Sequence, residues 1–131
     1  MKSHQVYNDD QCVAFLDIHP INPGHVLVVP KVHAERFFEV NEDTAAHLLK
    51  IANRIYRAMR TRNVNTVLRC EGANIFLSDG TVAGQEVGHT HLHIAPRFTG
   101  DGHAMGFSHA DPANAASDAL ENIAKKLKEN L

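Results

Sequence analysis

The chain has no large excess of either charge, no long apolar run and little cysteine, and each lack removes a class of protein. Thirteen lysines and arginines stand against fifteen aspartates and glutamates, a formal net charge of −2 over 131 residues. That leaves no basic footprint of the kind that holds nucleic acid or an anionic membrane surface. No apolar run approaches the ~20 residues needed to span a bilayer, and the opening MKSHQVYNDD has no signal-peptide core. A cytoplasmic protein with a small-molecule partner, and neither nucleic acid nor membrane, is therefore expected. The two cysteines, Cys12 and Cys70, fall in apolar, strand-like stretches without any Cys-x-x-Cys pair, which favours buried free thiols over a disulfide. There is no repeat and no linker. With 44% hydrophobic residues the chain can bury one core and is too short for two, so residues 1–131 read as a single domain.

What is present in strength is histidine. Between Gly84 and Arg97, His89, His91 and His93 alternate with Thr90 and Leu92. Alternation is the period of a β-strand, so the three imidazoles are expected in a row on one face, with outer Cα atoms roughly 13 Å apart at ~3.3 Å per residue. Two chemistries suit such a ladder. Histidines at i and i+2 can share a zinc or copper ion, or a neutral imidazole can attack phosphorus and carry a phosphoryl or nucleotidyl group between partners. Crowding serves the second, because like-charge repulsion keeps at least one ring neutral near pH 7.

Taken in order, strands are expected at 5–7 and 12–17, then a break at Pro20, Pro23 and Gly24, then the apolar, β-branched strand 25–29 stopped by Pro30. A helix should begin at the N-cap Asn41, with Glu42 and Asp43 in its first turn and an apolar stripe of Leu48, Ala52, Ile55 and Met59. Strands at 66–70 and 73–77 lead through a glycine-containing loop to the histidine strand, which closes the sheet. Gly100, Gly102 and Gly106 mark a loop. Asp111-Pro112 then opens a final helix striped by Leu120, Ile123, Ala124 and Leu127. About five antiparallel strands and two helices make an α+β domain.

The histidine segment, His89-Thr90-His91-Leu92-His93-Ile94-Ala95, resembles the signature of the histidine triad (HIT) superfamily, and FLDIHPINPGHVLVVPK at 15–31 is similar to that family's other diagnostic stretch. The resemblance runs from about Val6 to the last helix. It implies the HIT-like fold, an antiparallel meander sheet with a packed helix, and a homodimer joined across the first long helix and a sheet edge. The Cys-x-x-Cys zinc motif that some members carry ahead of the fold is missing.

By position, the resemblance also assigns roles. His91 matches the nucleophile, whose Nε2 attacks the α-phosphorus of a nucleotide while Nδ1 holds the proton, hydrogen-bonded to an acceptor such as a backbone carbonyl. His93 matches a residue that contacts the phosphate and helps protonate the leaving group, and His89 and His25 match the pair that orients the row. Gln85 matches a loop glutamine whose amide donates to the phosphate or to the departing oxygen, with backbone N–H groups around Gly84 and His91 beside it. Asp17 matches an acceptor for ribose hydroxyls, and Ile18 and Phe15 fall where the family lines its base pocket. Ser78 replaces a frequent asparagine, so one phosphate or ribose contact is shortened or missing. Glu86, a carboxylate beside an anionic substrate, is given no binding role. No metal or other cofactor is required. His4, His19, His33, His47, His103 and His109 are assigned to surface or loop.

The function implied is a nucleotide hydrolase or transferase acting on an α-phosphate through His91. Its leaving group is an amine, a nucleotide or a sugar phosphate; Pro96-Arg97 followed by Gly100-Asp101-Gly102 resembles bacterial members of the family, which gives slight weight to the polyphosphate branch. Two other classes remain open: a metal-binding protein that uses the ladder, and a nucleotide-binding partner protein with vestigial catalysis.

Overall fold

The structure is a computed structural model and describes residues 4–104, 106–108 and 116–131. Among these, the strands are β1 (Gln5–Asn8), β2 (Cys12–Leu16), β3 (Val26–Pro30), β4 (Gly72–Phe76) and β5 (Leu92–Arg97), and the helices are α1 (Glu42–Met59) and α2 (Ser117–Glu129). The expected helix start at Asp111-Pro112, and His109, lie outside the described residues. The five strands form one antiparallel sheet, so the domain is α+β as its pattern implies. No helix among the described residues is long and apolar enough to cross a membrane.

Alternation decides which face meets the helix. Cys12 and Ala14 of β2, Val26 and Val28 of β3 and Ile94 of β5 are buried against Leu48, Ile51, Ala52 and Met59 of α1. The helix starts where the sequence signals, with Asn41 Oδ1 accepting the Thr44 N–H at 2.8 Å, which satisfies one of the four unpaired donors of the first turn. Both cysteines are buried and free. The stripe of α2 is far less engaged: Leu120, Ile123 and Leu127 are each about half exposed.

Three expectations give way here. Residues 66–70 are not a strand. Val64–Thr66 is a 3-10 turn: the Thr66, Val67 and Leu68 N–H groups are spent on the Asn63 and Val64 carbonyls, and Asn65 Oδ1 accepts the Cys70 N–H while its amide nitrogen ties the turn to the Met59 and Thr61 carbonyls at the end of α1. Local hydrogen bonds have outcompeted strand pairing. Next, the sheet order is β1-β2-β3-β5-β4, so the first three strands meander but β5 lies inside the sheet and β4 forms the edge. Burial of Ile94, Ala95 and Pro96 demands a neighbour on both sides.

The last concerns the histidines themselves. Only His93 lies on a strand, because β5 begins at Leu92. The β3–β5 register pairs Val26 with Ile94, Leu27 with His93 and Val28 with Leu92, and the next hydrogen-bonding partner would be Pro30, which has no N–H to give. His89, Thr90 and His91 therefore approach the sheet as irregular chain, held by Thr90 N–H on the Ala34 carbonyl at 2.7 Å.

Thr90 is 1% exposed, and its hydroxyl has no hydrogen-bond partner among the described residues. A buried, unsatisfied hydroxyl costs about 1–3 kcal/mol. Thr90→Val keeps the shape and removes the orphan, so it is expected to stabilise the protein by about 1 kcal/mol, read as a higher urea midpoint at unchanged slope. A lower midpoint would mean that the hydroxyl is bonded.

Candidate active site

The sheet face opposite α1 carries the site. Cross-strand registers line up Phe15, Leu27, His93 and Phe76 across β2, β3, β5 and β4. Phe76 stacks on His93, with ring centroids 4.4 Å apart and planes 5° from parallel. His25, one residue before β3 and only 3% exposed, brings Nε2 to 3.0 Å from His93 Nδ1. The His91 ring lies 4.7 Å from that of His93. The imidazole row is thus His91–His93–His25. His89 turns away from it, Nε2 donating to the Pro30 carbonyl at 2.9 Å and its ring meeting His33 edge-on. His33, assigned to the surface from sequence, is its partner; nothing in the spacing of the two residues signals that.

Backbone groups fix the protons of the row. The Ile21 N–H can only donate, and it points at His25 Nδ1 from 3.0 Å. In the neutral ring His25 must then carry its proton on Nε2 and donate to His93 Nδ1, which leaves the His93 proton on Nε2. The His89 carbonyl can only accept, and it lies 2.8 Å from His91 Nδ1. His91 therefore keeps its proton on Nδ1 and a bare lone pair on Nε2. Both inner rings stay neutral at pH 7. Burial, followed by the charges of His91 and His25, pushes His93 down to about 4, and burial likewise lowers His25 against an opposing pull from Asp17.

Asp17 joins this cluster. Its Oδ1 accepts the His19 N–H, its own N–H donates to the His25 carbonyl, and Oδ2 lies 3.8 Å from His25 Nε2. Phe15 is on the same face, two strands from His93, and Ile18 is about half exposed just beyond Asp17.

Gln85 behaves differently from its expected role as a phosphate donor. Its side-chain N–H groups donate to the Glu35 and Val87 carbonyls at 2.7 and 2.9 Å, and Oε1 accepts the Gly80 N–H at 2.6 Å. Every donor of the amide is spent on folding the loop, and the residue is only 9% exposed. Ser78 and Gly84 belong to the same loop, Gly84 in the left-handed region at φ 95° with the Ser78 hydroxyl alongside. The structure brings His25, His91, His93 and Asp17 together, while Gln85 acts as the clamp of the neighbouring loop.

Asp17, His25 and His93 offer ligand atoms within 4.8 Å of one another, a spacing a metal ion could use. The protons argue otherwise. A ligating histidine donates its second ring nitrogen to a neighbour, whereas His25 Nδ1 accepts from Ile21, so coordination through Nε2 would require an imidazolate. A second group, Asp9, Cys12 and His47, is likewise committed. Tyr7, His47 and two backbone N–H groups occupy the Asp9 carboxylate, and burial pushes the Cys12 thiol up to about 11. His47, too, is a partner rather than a loose surface residue.

Known proteins share this frame. The HIT domain family model matches residues 1–100. An uncharacterized HIT-like protein of Methanocaldococcus jannaschii is 42% identical over 123 residues, covering 94% of this chain and 87% of that protein. The adenosine 5'-monophosphoramidase of Candida albicans is 33% identical over 119 residues, 90% of this chain and 76% of its own length. A solved HIT family structure from Bacillus anthracis superposes with a TM-score of 0.86 at 29% identity, covering 100% of this chain and 89% of that one. On the family match and on relatives above 30% identity along most of its length, this chain belongs to the HIT domain family.

Proposed function

We propose that the protein cleaves nucleotide conjugates at the α-phosphorus through a nucleotidyl-His91 intermediate. The observation that carries this reading is the His89 carbonyl on His91 Nδ1, which leaves Nε2 as a fixed lone pair in a row of neutral rings. In the first half-reaction the Nε2–P bond forms as the bond from phosphorus to the leaving atom breaks. The leaving atom departs with the electron pair, held by a hydrogen bond from the Nε2–H of His93, and takes its proton from solvent. Water then attacks the phosphorus, the nucleoside monophosphate departs, His91 regains its lone pair, and one proton returns to solvent. No step is routed through a metal. Asp17 holds the ribose hydroxyls, Phe15 and Ile18 flank the base, and backbone N–H groups near Gly84 and His91 take the place of the committed Gln85 amide as phosphate donors.

A relative bearing the name adenosine 5'-monophosphoramidase supports a nucleotide hydrolase and draws the leaving group towards an amine. The reading includes a homodimer across α1 and the β4 edge, where Leu49 is 59% and Ile75 40% exposed. Adenosine phosphoramidate and diadenosine polyphosphate, offered together with chelator present, test the chemistry. AMP should appear at an unchanged rate, first from the phosphoramidate. Activity that vanishes with chelator and returns with zinc would replace this mechanism with a metal-dependent one.

A further inference from the structure

One buried amide is unused by this scheme and lies behind the groups that set its protons. Asn22 is 6% exposed. Its side-chain nitrogen donates to the Pro96 carbonyl and to Asp101 Oδ2, both at 2.9 Å. Asp101, 4% exposed at its side chain, is gripped by Arg97 through Nε at 2.6 Å and Nη2 at 3.0 Å. Arg97 also donates to Asn74 Oδ1 on β4 and to the His103 carbonyl. Asn22 is thus fixed to β5, the strand that carries His93, and to the loop that follows it.

On its other side Asn22 lies inside the turn that presents His25. Its carbonyl accepts the His25 N–H at 3.1 Å, and the residue before it supplies the Ile21 N–H that holds His25 Nδ1. We propose that Asn22, anchored by the Arg97–Asp101 pair, is a positioning residue that sets the proton pattern of the histidine row, acting through the Ile21 N–H on His25 and through His25 on His93. The inference rests on the histidine reading above and deepens it.

The chemistry requires a carboxamide here. One nitrogen must donate twice, to a carbonyl and to a carboxylate; serine has a single donor, and aspartate would set a second negative charge against Asp101. If the turn is released, the Ile21 N–H no longer faces His25, and His25 can carry its proton on Nδ1. His25 Nε2 then accepts from His93 Nδ1, and His93 Nε2 becomes a bare lone pair facing the leaving atom where a donor is needed. What is lost is assistance to the leaving group, not the attack by His91.

Two measurements test this. Nitrogen-15 NMR of the native ring nitrogens near pH 7 should find the proton on Nε2 of His25 and His93 and on Nδ1 of His91; a native His25 protonated on Nδ1 overturns the proposal, whether or not any substrate is turned over. In Asn22→Ala, His25 should populate both forms. There, kcat/KM for an alkylamine phosphoramidate of adenosine should fall about 10²-fold, while that for the p-nitrophenyl ester of AMP, whose phenolate leaves without a proton, should change by less than about threefold. Asn22→Ser, with one donor, should fall between and serves as the comparison if the alanine variant does not fold. Equal losses on both substrates, or an unaltered His25 in a folded variant, would leave Asn22 as a structural tie and sink the proposal. If the native protein cleaves neither substrate, the hydrolase reading fails, and the NMR comparison alone decides the role of Asn22.

Discussion

His91→Ala is expected to abolish turnover, lowering kcat by on the order of 10⁴- to 10⁶-fold, as removal of a covalent nucleophile does elsewhere. His91 is the ring in the row whose Nε2 lone pair is left free by an obligate backbone acceptor, since the His89 carbonyl accepts a hydrogen bond from Nδ1–H. His93 has its Nδ1 lone pair occupied by His25, and His25 has its Nδ1 lone pair occupied by the Ile21 N–H. Neither can replace His91 as nucleophile without breaking those bonds. Binding should survive, because Asp17, Phe15 and Ile18 are untouched, so AMP affinity is expected to stay within about threefold while single-turnover labelling of the protein disappears. His89→Ala is the informative control: the acceptor for His91 is the backbone carbonyl, which alanine retains, so its loss should be far smaller. Residual His91→Ala activity above about 1% of the parent would mean that the covalent route is wrong.

Much of this site was legible in the sequence because its signals are local. The Asn41 cap and the alternating apolar residues of β2 and β3 depend on neighbours a few residues away, and both reappear in the structure; of the triad, His91 and His93 stay side by side and His89 does not. What was not legible depends on distant partners. That β5 inserts between β3 and β4 is a property of three segments spread over some seventy residues, and no periodicity within β5 encodes it. The departure of His89 from the row follows from Pro30, which ends β3 and offers its carbonyl to His89 Nε2, a contact between residues 59 positions apart. Gln85 shows the limit of assigning a role by position: the amide sits where expected in the chain, but Gly80, Glu35 and Val87 take all that it offers. The stretch 66–70 is irregular because its Thr66, Val67, Leu68 and Cys70 N–H groups are taken by the Asn63 and Val64 carbonyls and the Asn65 side chain, partners that its own residues do not announce.

Acidification should destabilise the protein well above the pH at which its carboxylates titrate, and His93 is the reason. In the unfolded chain the imidazole takes a proton near 6.5, whereas in the fold burial and the charges of His91 and His25 delay protonation to about 4. Between these values the unfolded state binds more protons than the native one, so stability is fully present above pH 6.5 and declines as pH falls towards 4. At 1.36 kcal/mol per unit, His93 alone accounts for a loss of up to about 3 kcal/mol, and His25, lowered in the same direction by burial, adds to it. The carboxylates act lower down. Asp101 under Arg97, and Asp9 under Tyr7 and His47, are held far below the usual carboxylate range, so their contribution is lost only after the histidine window has been crossed. Urea denaturation at pH 7 and at pH 4.5 separates the two regimes. The parent should lose about 2–3 kcal/mol between them, while His93→Asn, which keeps an acceptor for His25 but does not titrate, should lose markedly less. An asparagine variant with the same pH dependence as the parent would shift the acid sensitivity from the imidazole row to the carboxylates. It would also remove the argument that the row is neutral at pH 7, on which a nucleophilic His91 beside a proton-donating His93 depends.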